Sequence, residues 1–393
     1  MPLPSRSFIA TVEDMRRVAR RRVPRMFYDY ADSGSWTEST YRANEEDLQK
    51  IRFRQRVARN MENRTLATTM VGQSAAMPVA LAPTGLTGMQ HADGEILAAQ
   101  AAEAFGVPFT LSTMSICSIE DVAAHTTAPF WFQLYVMRDR DFIERLIDRA
   151  KAAKCSALVL TLDLQILGQR HKDLRNGLSA PPRMTLGNLM NLATKPAWCW
   201  NMLRTQRRTF RNIAGHAKGV TDLSSLGAWT AEQFDPTLSW DDVEWIKKRW
   251  GGKLILKGIL DPEDARHAVD TGADALIVSN HGGRQLDGAV SSVAMLPQVV
   301  DAVGKDIEVW MDGGIRSGQD ILRAVALGAR GVMIGRPFLY GLGAGGREGV
   351  TKVLEILARE LDVTMALCGY RDIHQIDRGV LVPGSYPGSV PTY

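Results

Sequence analysis

The chain has 393 residues, 45% hydrophobic and 23% charged, which excludes a mostly disordered, collagen-like or disulfide-knotted protein and leaves length for a large core. Its net charge of +4 is unevenly placed: from Leu174 to Thr221 there is no Asp or Glu against eight basic residues, so a mildly acidic body carries one basic patch. Cys117, Cys155, Cys199 and Cys368 lie far apart with no CxxC, which argues against a zinc site or disulfide framework and fits a reducing compartment.

Residues 1–70 form a polar, mostly helical lead-in, with a short basic helix at Asp14–Arg22 and another starting at Pro24. The first residues have no signal-peptide core, and no run reaches the roughly 18 apolar residues of a spanning helix. Eight strand-like runs follow, at Pro78–Pro83, Pro108–Ser112, Phe130–Val136, Ala157–Asp163, Lys253–Lys257, Ala275–Asn280, Glu308–Met311 and Gly331–Ile334. Most are continuous apolar runs, the pattern of parallel strands buried on both faces. Amphipathic segments alternate with them at Asp93–Phe105, Ile119–Ala124, Asp139–Ala153, Trp240–Trp250, Pro262–Thr271, Leu296–Val303, Gly318–Leu327 and Gly346–Leu361. The alternation predicts an α/β protein, a (β/α)8 TIM barrel in a single domain over 1–393. A doubly wound open sheet is the competitor, but no GxGxxG follows the first strand.

The beat breaks once, between the fourth and fifth strands, where the basic segment 174–221 lies with Trp198, Trp200, Met202, Leu203 and Phe210. A connection of this length without a function is unusual. Base-rich sequence with interfacial aromatics predicts contact with a membrane surface through 182–214, with Pro196–Leu203 entering the interface, so that removing 182–214 releases the protein. A soluble active-site lid is the bland alternative. No nucleic-acid motif is visible, and none is expected to bind.

In such barrels chemistry gathers at the C-terminal ends of the strands. In chain order these ends offer Pro83-Thr84-Gly85, Ser112, Gln133 and Tyr135, Thr161 and Asp163, Lys257, Ser279 to Arg284, Asp312 to Arg316, and Gly335-Arg336. Gln133 and Tyr135, two apart, share one face. Gly313, Gly314, Arg316, Gly335 and Arg336 predict a phosphate-bearing ligand at the last two strands; tight turns with surface arginines are the alternative. Lys257 emerges from an apolar strand and is suited either to a Schiff base or to a cofactor anion. His281 can take a proton near neutral pH, and Arg284 can grip a carboxylate. The other histidines lack such surroundings, and no cluster has metal-ligand spacing.

The stretches YDYADSG (28–34), ALAPTGLTGM (80–89), LSTMSICSIEDVA (111–123), WFQLYV (131–136), LTLD (160–163), LKGILDPEDA (256–265), VSNHGGRQLDG (278–288), MDGGIRSGQD (311–320) and ALGARGVMIGRPFLYG (326–341) resemble the FMN-dependent 2-hydroxy acid oxidase and dehydrogenase family over about residues 8–380. The wording is most similar to the family's bacterial quinone-linked L-lactate dehydrogenases. The resemblance implies FMN as cofactor, with His281 as catalytic base and Asp163 stabilising its imidazolium. It implies that Arg284, Arg170 and Tyr30 hold the substrate carboxylate, with Tyr135 on the hydroxyl side. Lys257 would sit at the flavin N1/O2 edge. Ser112, Gln133 and Thr161 would bond the ring, with Pro83, Thr84 and Gly85 against its middle and Ser279 beside it. Asp312, Gly313, Gly314, Arg316, Gly335 and Arg336 would take the ribityl chain and phosphate. Gly85, where oxidases often carry alanine, and Met114, where they often carry an aromatic, hint at the dehydrogenase branch.

The implied reaction is oxidation of L-lactate to pyruvate, with electrons passed to a membrane quinone or another respiratory acceptor. Mandelate, a longer 2-hydroxy acid, or a soluble oxidase producing hydrogen peroxide stay open, and Met114 and Leu164 to Leu167 line the expected side-chain pocket. The implied setting is a homo-oligomer, possibly a tetramer, on the cytoplasmic face of the inner membrane, or else soluble in the cytoplasm.

Overall fold

The computed structural model describes residues 9–178, 185–217 and 233–387. All eight expected strands form. They are β1 (Val79–Leu81), β2 (Thr110–Ser112), β3 (Trp131–Tyr135), β4 (Ala157–Thr161), β5 (Lys253–Ile259), β6 (Ala275–Val278), β7 (Glu308–Asp312) and β8 (Gly331–Ile334). From β2 to β8 each strand pairs in parallel with the next, and β8 pairs with β1. A parallel bridge from Leu81 to Phe109 joins β1 to β2 and completes the ring. The apolar runs are continuous because each strand faces helices on one side and the barrel interior on the other. Inside, Trp131 and Trp310 tilt together at 5.3 Å between centroids. Ala80, Ala157 and Ala275 leave room for them, so large and small residues interlock.

A ribbon of Thr68–Met70 against Gln73–Ala75 plugs the N-terminal end of the barrel. Gln73 accepts from Trp131 Nε1 (3.2 Å) and Ser156 Oγ (3.3 Å), and Glu308 accepts from Val71 N (3.0 Å) and Trp310 Nε1 (3.2 Å). Closing this end leaves the C-terminal rim for function.

The lead-in carries the two expected helices, Val12–Arg22 and Arg25–Ala31, and a third, Ser39–Lys50. The first starts one turn-residue pair earlier than its basic run, because Thr11 and Asp14 form a capping box. The final helix also differs from expectation. It runs over Arg336–Leu367, kinked at Gly345 and Gly346, rather than starting at Gly346. The glycine-rich stretch reads as a breaker, but it is a packing device: a Cβ on Gly349 would stand 1.9 Å from the Gly341 carbonyl, so the two arms of the kink meet backbone to backbone.

The basic segment begins with helix His171–Arg175 and contains helices Leu186–Ala193 and Pro196–Arg204. Its Arg183 and Lys218, and the first residues of the 182–214 stretch, lie outside the described residues. The segment is less free than its sequence suggests. Arg207 pairs with Asp93 and Asp121, Arg211 pairs with Asp121, and Lys195 bonds the Arg21 carbonyl. Trp198 stacks on Phe27 at 5.4 Å and donates to the Met89 carbonyl, and Met202 is buried. Only one face of Pro196–Arg204 is therefore outward: Trp200 and Leu203, alongside Leu186, Leu189 and Met190 of the preceding helix. Among the described residues no helix is long and apolar enough to cross a membrane.

Candidate active site

A cavity of about 790 Å³ opens at the C-terminal rim of the barrel. His281 sits in it at the end of β6, held in a left-handed conformation (φ +57°) that an L residue adopts only when its surroundings impose it. The surroundings are visible. Its backbone N–H donates to Ser279 Oγ at 3.1 Å. The preceding Asn280 exchanges two amide hydrogen bonds of 2.9 Å with Asn44 of helix Ser39–Lys50. His281 Nδ1 lies 2.9 Å from Asp163 Oδ1. With Nδ1 so engaged, Nε2 is the nitrogen left for chemistry. Burial works to raise the Asp163 carboxyl, but His281 and then Lys257 outweigh it and keep it below its usual range. An ionised carboxylate beside Nδ1 fixes the orientation of the imidazole.

Facing this pair are Tyr30, Tyr135, Arg170 and Arg284, all lining the cavity. Both guanidinium groups lie over Tyr30, Arg284 at 4.7 Å and Arg170 at 5.7 Å from the ring centre. Arg284 Nη1 donates to the carbonyls of Tyr30 (2.6 Å) and Ser33 (3.1 Å). Burial and then the neighbouring Arg170 pull Arg284 down to about 10. Two half-buried cations held close together make a site prepared for an anion. Burial also pushes the Tyr135 phenol well above its usual range, with Tyr30 and Asp163 adding to the effect. Tyr135 is packed edge-on against Phe234.

Deeper in the barrel, Lys257 Nζ meets Asp312 Oδ2 at 2.8 Å and Ser279 Oγ at 2.9 Å. Thr161 pairs with Tyr135 on one side and Lys257 on the other by strand register. Gln133 accepts from Ser112 Oγ (3.0 Å), while its Nε2 is buried with no partner among the described residues, as is Asp312 Oδ1. Pro83, Thr84, Gly85 and Lys257 line the cavity, and Ser112, Gln133, Thr161 and Ser279 are buried beside it. A side chain on Gly85 would come within 3.2 Å of both Met114 and the Tyr30 hydroxyl.

Asp312, Gly313, Gly314, Arg316, Gly335 and Arg336 also line the cavity, as expected for an anion cradle. Gly314 (φ +82°) has a second duty, since a Cβ there would stand 2.0 Å from the Asn44 carbonyl. The two arginines are partly engaged elsewhere. Arg336 bonds the carbonyls of Ala31, Ser33 and Gly282, and Arg316 pairs with Glu45 at 2.7 Å. Much of the donor capacity here therefore falls to backbone N–H groups.

Several cavity residues escape motif reading: Phe27 arrives from the lead-in, Leu178 and Arg208 from the basic segment, and Phe234 from the stretch between that segment and β5. Asp173 is another, although its spacing three residues after Arg170 is a usable signal; Arg170 Nε reaches its Oδ2 at 2.6 Å.

A carboxylate-oriented base facing two arginines, beside a buried lysine and a glycine-lined cradle, defines a barrel oxidoreductase for an anionic substrate. The chain belongs to the FMN-dependent dehydrogenase family, whose model matches residues 19–383. It is 47% identical over 378 residues to an L-lactate dehydrogenase of Pseudomonas syringae pv. syringae (strain B728a), covering 95% of this chain and 98% of the relative. It is also 47% identical over 374 residues to an L-lactate dehydrogenase of Caulobacter vibrioides (strain NA1000 / CB15N), covering 95% and 97%. Among solved structures it is similar to the monotopic membrane protein (S)-mandelate dehydrogenase, with a TM-score of 0.91 and 35% identity over 96% of this chain and 100% of that one. A mandelate oxidase in complex with (S)-4-hydroxymandelic acid gives 0.82 and 37%, over 95% and 98%.

The residues present fit FMN. Gln133 Nε2 and Asp312 Oδ1 are unpaired polar atoms beside the cavity, Lys257 is a buried cation, and the last two strands end in a glycine-lined cradle.

Proposed function

We propose that this enzyme oxidises L-lactate to pyruvate and passes the electrons to a membrane quinone. The observation that carries the chemistry is the His281–Asp163 pair facing Arg284 and Arg170 across one cavity. A 2-hydroxy acid must lose two electrons and two protons, and FMN supplies the electron acceptor. Arg284 and Arg170 bind the carboxylate, with Tyr30 beneath them, and this orients the hydroxyl carbon. Tyr135 approaches from the hydroxyl side. His281 takes the proton at Nε2, and Asp163 stabilises the resulting imidazolium. Lys257 would supply positive charge to the bound flavin, and Ser112, Gln133, Thr161 and Ser279 would be its hydrogen-bonding neighbours. Pro83, Thr84 and Gly85 back the ring, and Gly313, Gly314, Arg316, Gly335 and Arg336 hold the phosphate end. The lactate dehydrogenase relatives support the substrate, and the small apolar wall of Met114, Leu164 and Leu167 is compatible with a methyl group.

The test is a panel of 2-hydroxy acids read by anaerobic bleaching of the flavin. L-Lactate is expected to bleach it fastest, and a quinone analogue is expected to reoxidise it faster than oxygen. Bleaching by (S)-mandelate alone would move the substrate to the aromatic branch, and faster reoxidation by oxygen would make the protein an oxidase. No bleaching by any 2-hydroxy acid would overturn the reading.

Membrane contact is assigned to the outward face formed by Leu186, Leu189, Met190, Trp200 and Leu203, with Arg204 over the Trp200 ring. The solved monotopic relative supports this placement. Cutting out 182–214 is the wrong test, because Thr205 and Arg207 bond Asp93, and Asn212 bonds the β2 loop. Changing the five outward residues to Gln leaves those anchors in place. Each apolar side chain withdrawn from the interface removes on the order of 1–2 kcal/mol. The variant is expected in the soluble fraction with lactate-driven bleaching retained. Pelleting with membranes as the unmodified protein does would remove this face from the proposal.

A further inference from the structure

The two guanidinium groups at the substrate end differ in how their charge is met. Among the described residues Arg284 bonds only backbone carbonyls and the Tyr30 face. Arg170 is gripped by a carboxylate, Nε to Asp173 Oδ2 at 2.6 Å. Asp173 is 5% exposed and lines the cavity, and its second oxygen, Oδ1, is buried with no hydrogen-bond partner among the described residues. Among the other charged groups lining the cavity, Lys257 is paired with Asp312 and Arg316 with Glu45, while Arg208 and Arg336 bond backbone carbonyls. Of the two guanidinium groups over Tyr30, Arg170 thus has a carboxylate partner and Arg284 has none among the described residues.

We propose that Asp173 is the specificity-determining residue that restricts this site to monocarboxylic 2-hydroxy acids. It does so in two ways. Its Oδ2 positions Arg170 and offsets part of its charge, so the two arginines that bind the substrate carboxylate keep less surplus charge for a second one. Its Oδ1 is buried without a donor among the described residues, on a residue that lines the cavity, so the second carboxylate of a dicarboxylic 2-hydroxy acid would be brought near a like charge in a poorly solvated space. Leu164, Leu167 and Phe210 in the cavity lining offer that second carboxylate no compensation, and the nearby Arg208 is engaged by the carbonyls of Thr205 and Leu203. Asp173 is a positioning residue for Arg170 and touches no reacting atom.

This inference rests on the substrate reading above, and the experiment separates the two. Wild-type and Asp173→Asn holoenzymes are compared by anaerobic flavin bleaching with L-lactate and L-malate. Bleaching of the wild type by L-lactate tests the proposed function alone. In Asp173→Asn the ratio of kcat/KM for malate to that for lactate is expected to rise by at least about tenfold, chiefly through a lower KM for malate. Asp173→Glu, which keeps the charge, is expected to keep the wild-type ratio. A purely structural role would lower both substrates together, and an unchanged ratio in an FMN-loaded Asp173→Asn enzyme overturns the proposal. Should Asp173→Asn fail to hold FMN, Asp173→Glu carries the test, and a gain in malate preference there overturns it equally.

Discussion

Replacing His281 by Gln is expected to slow reduction of the flavin by 2-hydroxy acid by about 10²–10⁴-fold, the usual worth of a positioned general base, while FMN stays bound. Glutamine can still donate an amide hydrogen to Asp163, so the buried carboxylate keeps a partner and the rim keeps its shape. What glutamine cannot do is accept the hydroxyl proton and carry it as a cation. The backbone is equally served, because the left-handed turn at 281 is imposed by Ser279 and the Asn280–Asn44 pair rather than by the imidazole. Stopped-flow bleaching measures the rate, and the visible flavin spectrum of the purified protein measures cofactor content. Reduction near the wild-type rate would strip His281 of the base role. Loss of FMN would show that the residue holds the site together instead.

The barrel was legible because a strand buried on both faces leaves a continuous apolar run, and eight such runs keep one rhythm. The rim was legible for a related reason: a lysine inside Leu-Ile-Leu-Lys, or an aspartate ending Leu-Thr-Leu-Asp, has no packing purpose. Short elements were not legible. The three-residue strands of the plug carry too few residues for a period-two pattern, and helix Ser39–Lys50 is polar enough to pass for a loop. The basic segment misled in part. Its own sequence lacks acids, but Asp93 and Asp121, far away in the chain, supply them to Arg207 and Arg211. The same non-local folding turns Trp198 onto Phe27 while leaving Trp200 outward, a division that the composition of Pro196–Leu203 does not contain. The acid-free stretch also starts one residue too late to reveal Asp173, the carboxylate that meets Arg170.

Lys257→Met is expected to be the most damaging single change to stability, about 3–5 kcal/mol, because it leaves the Asp312 carboxylate buried without its cation. Lys257 is 4% exposed, and its ammonium lies 2.8 Å from Asp312 Oδ2. Burial alone would depress the lysine, but Asp312 and Asp163 overcome it and raise the group above its ordinary value of 10.5. The sign follows: the pair's contribution is fully present below 10.5 and is lost only as pH rises through the higher folded-state value. Stability across neutral pH should therefore not depend on this lysine's titration. Urea unfolding of Lys257→Met against wild type measures the loss. A second change, Asp312→Asn, removes the stranded charge, and the double variant should recover much of the stability, since a pair replaced on both sides costs far less than one broken on one side. Flavin reduction should not recover with it. The positive charge assigned to the flavin's pyrimidine edge is absent in both variants, so bleaching by lactate should stay slow in the stable double variant. If the double variant regained both stability and rate, Lys257 would be a structural ion-pair partner only, and the cofactor role given to it would fall.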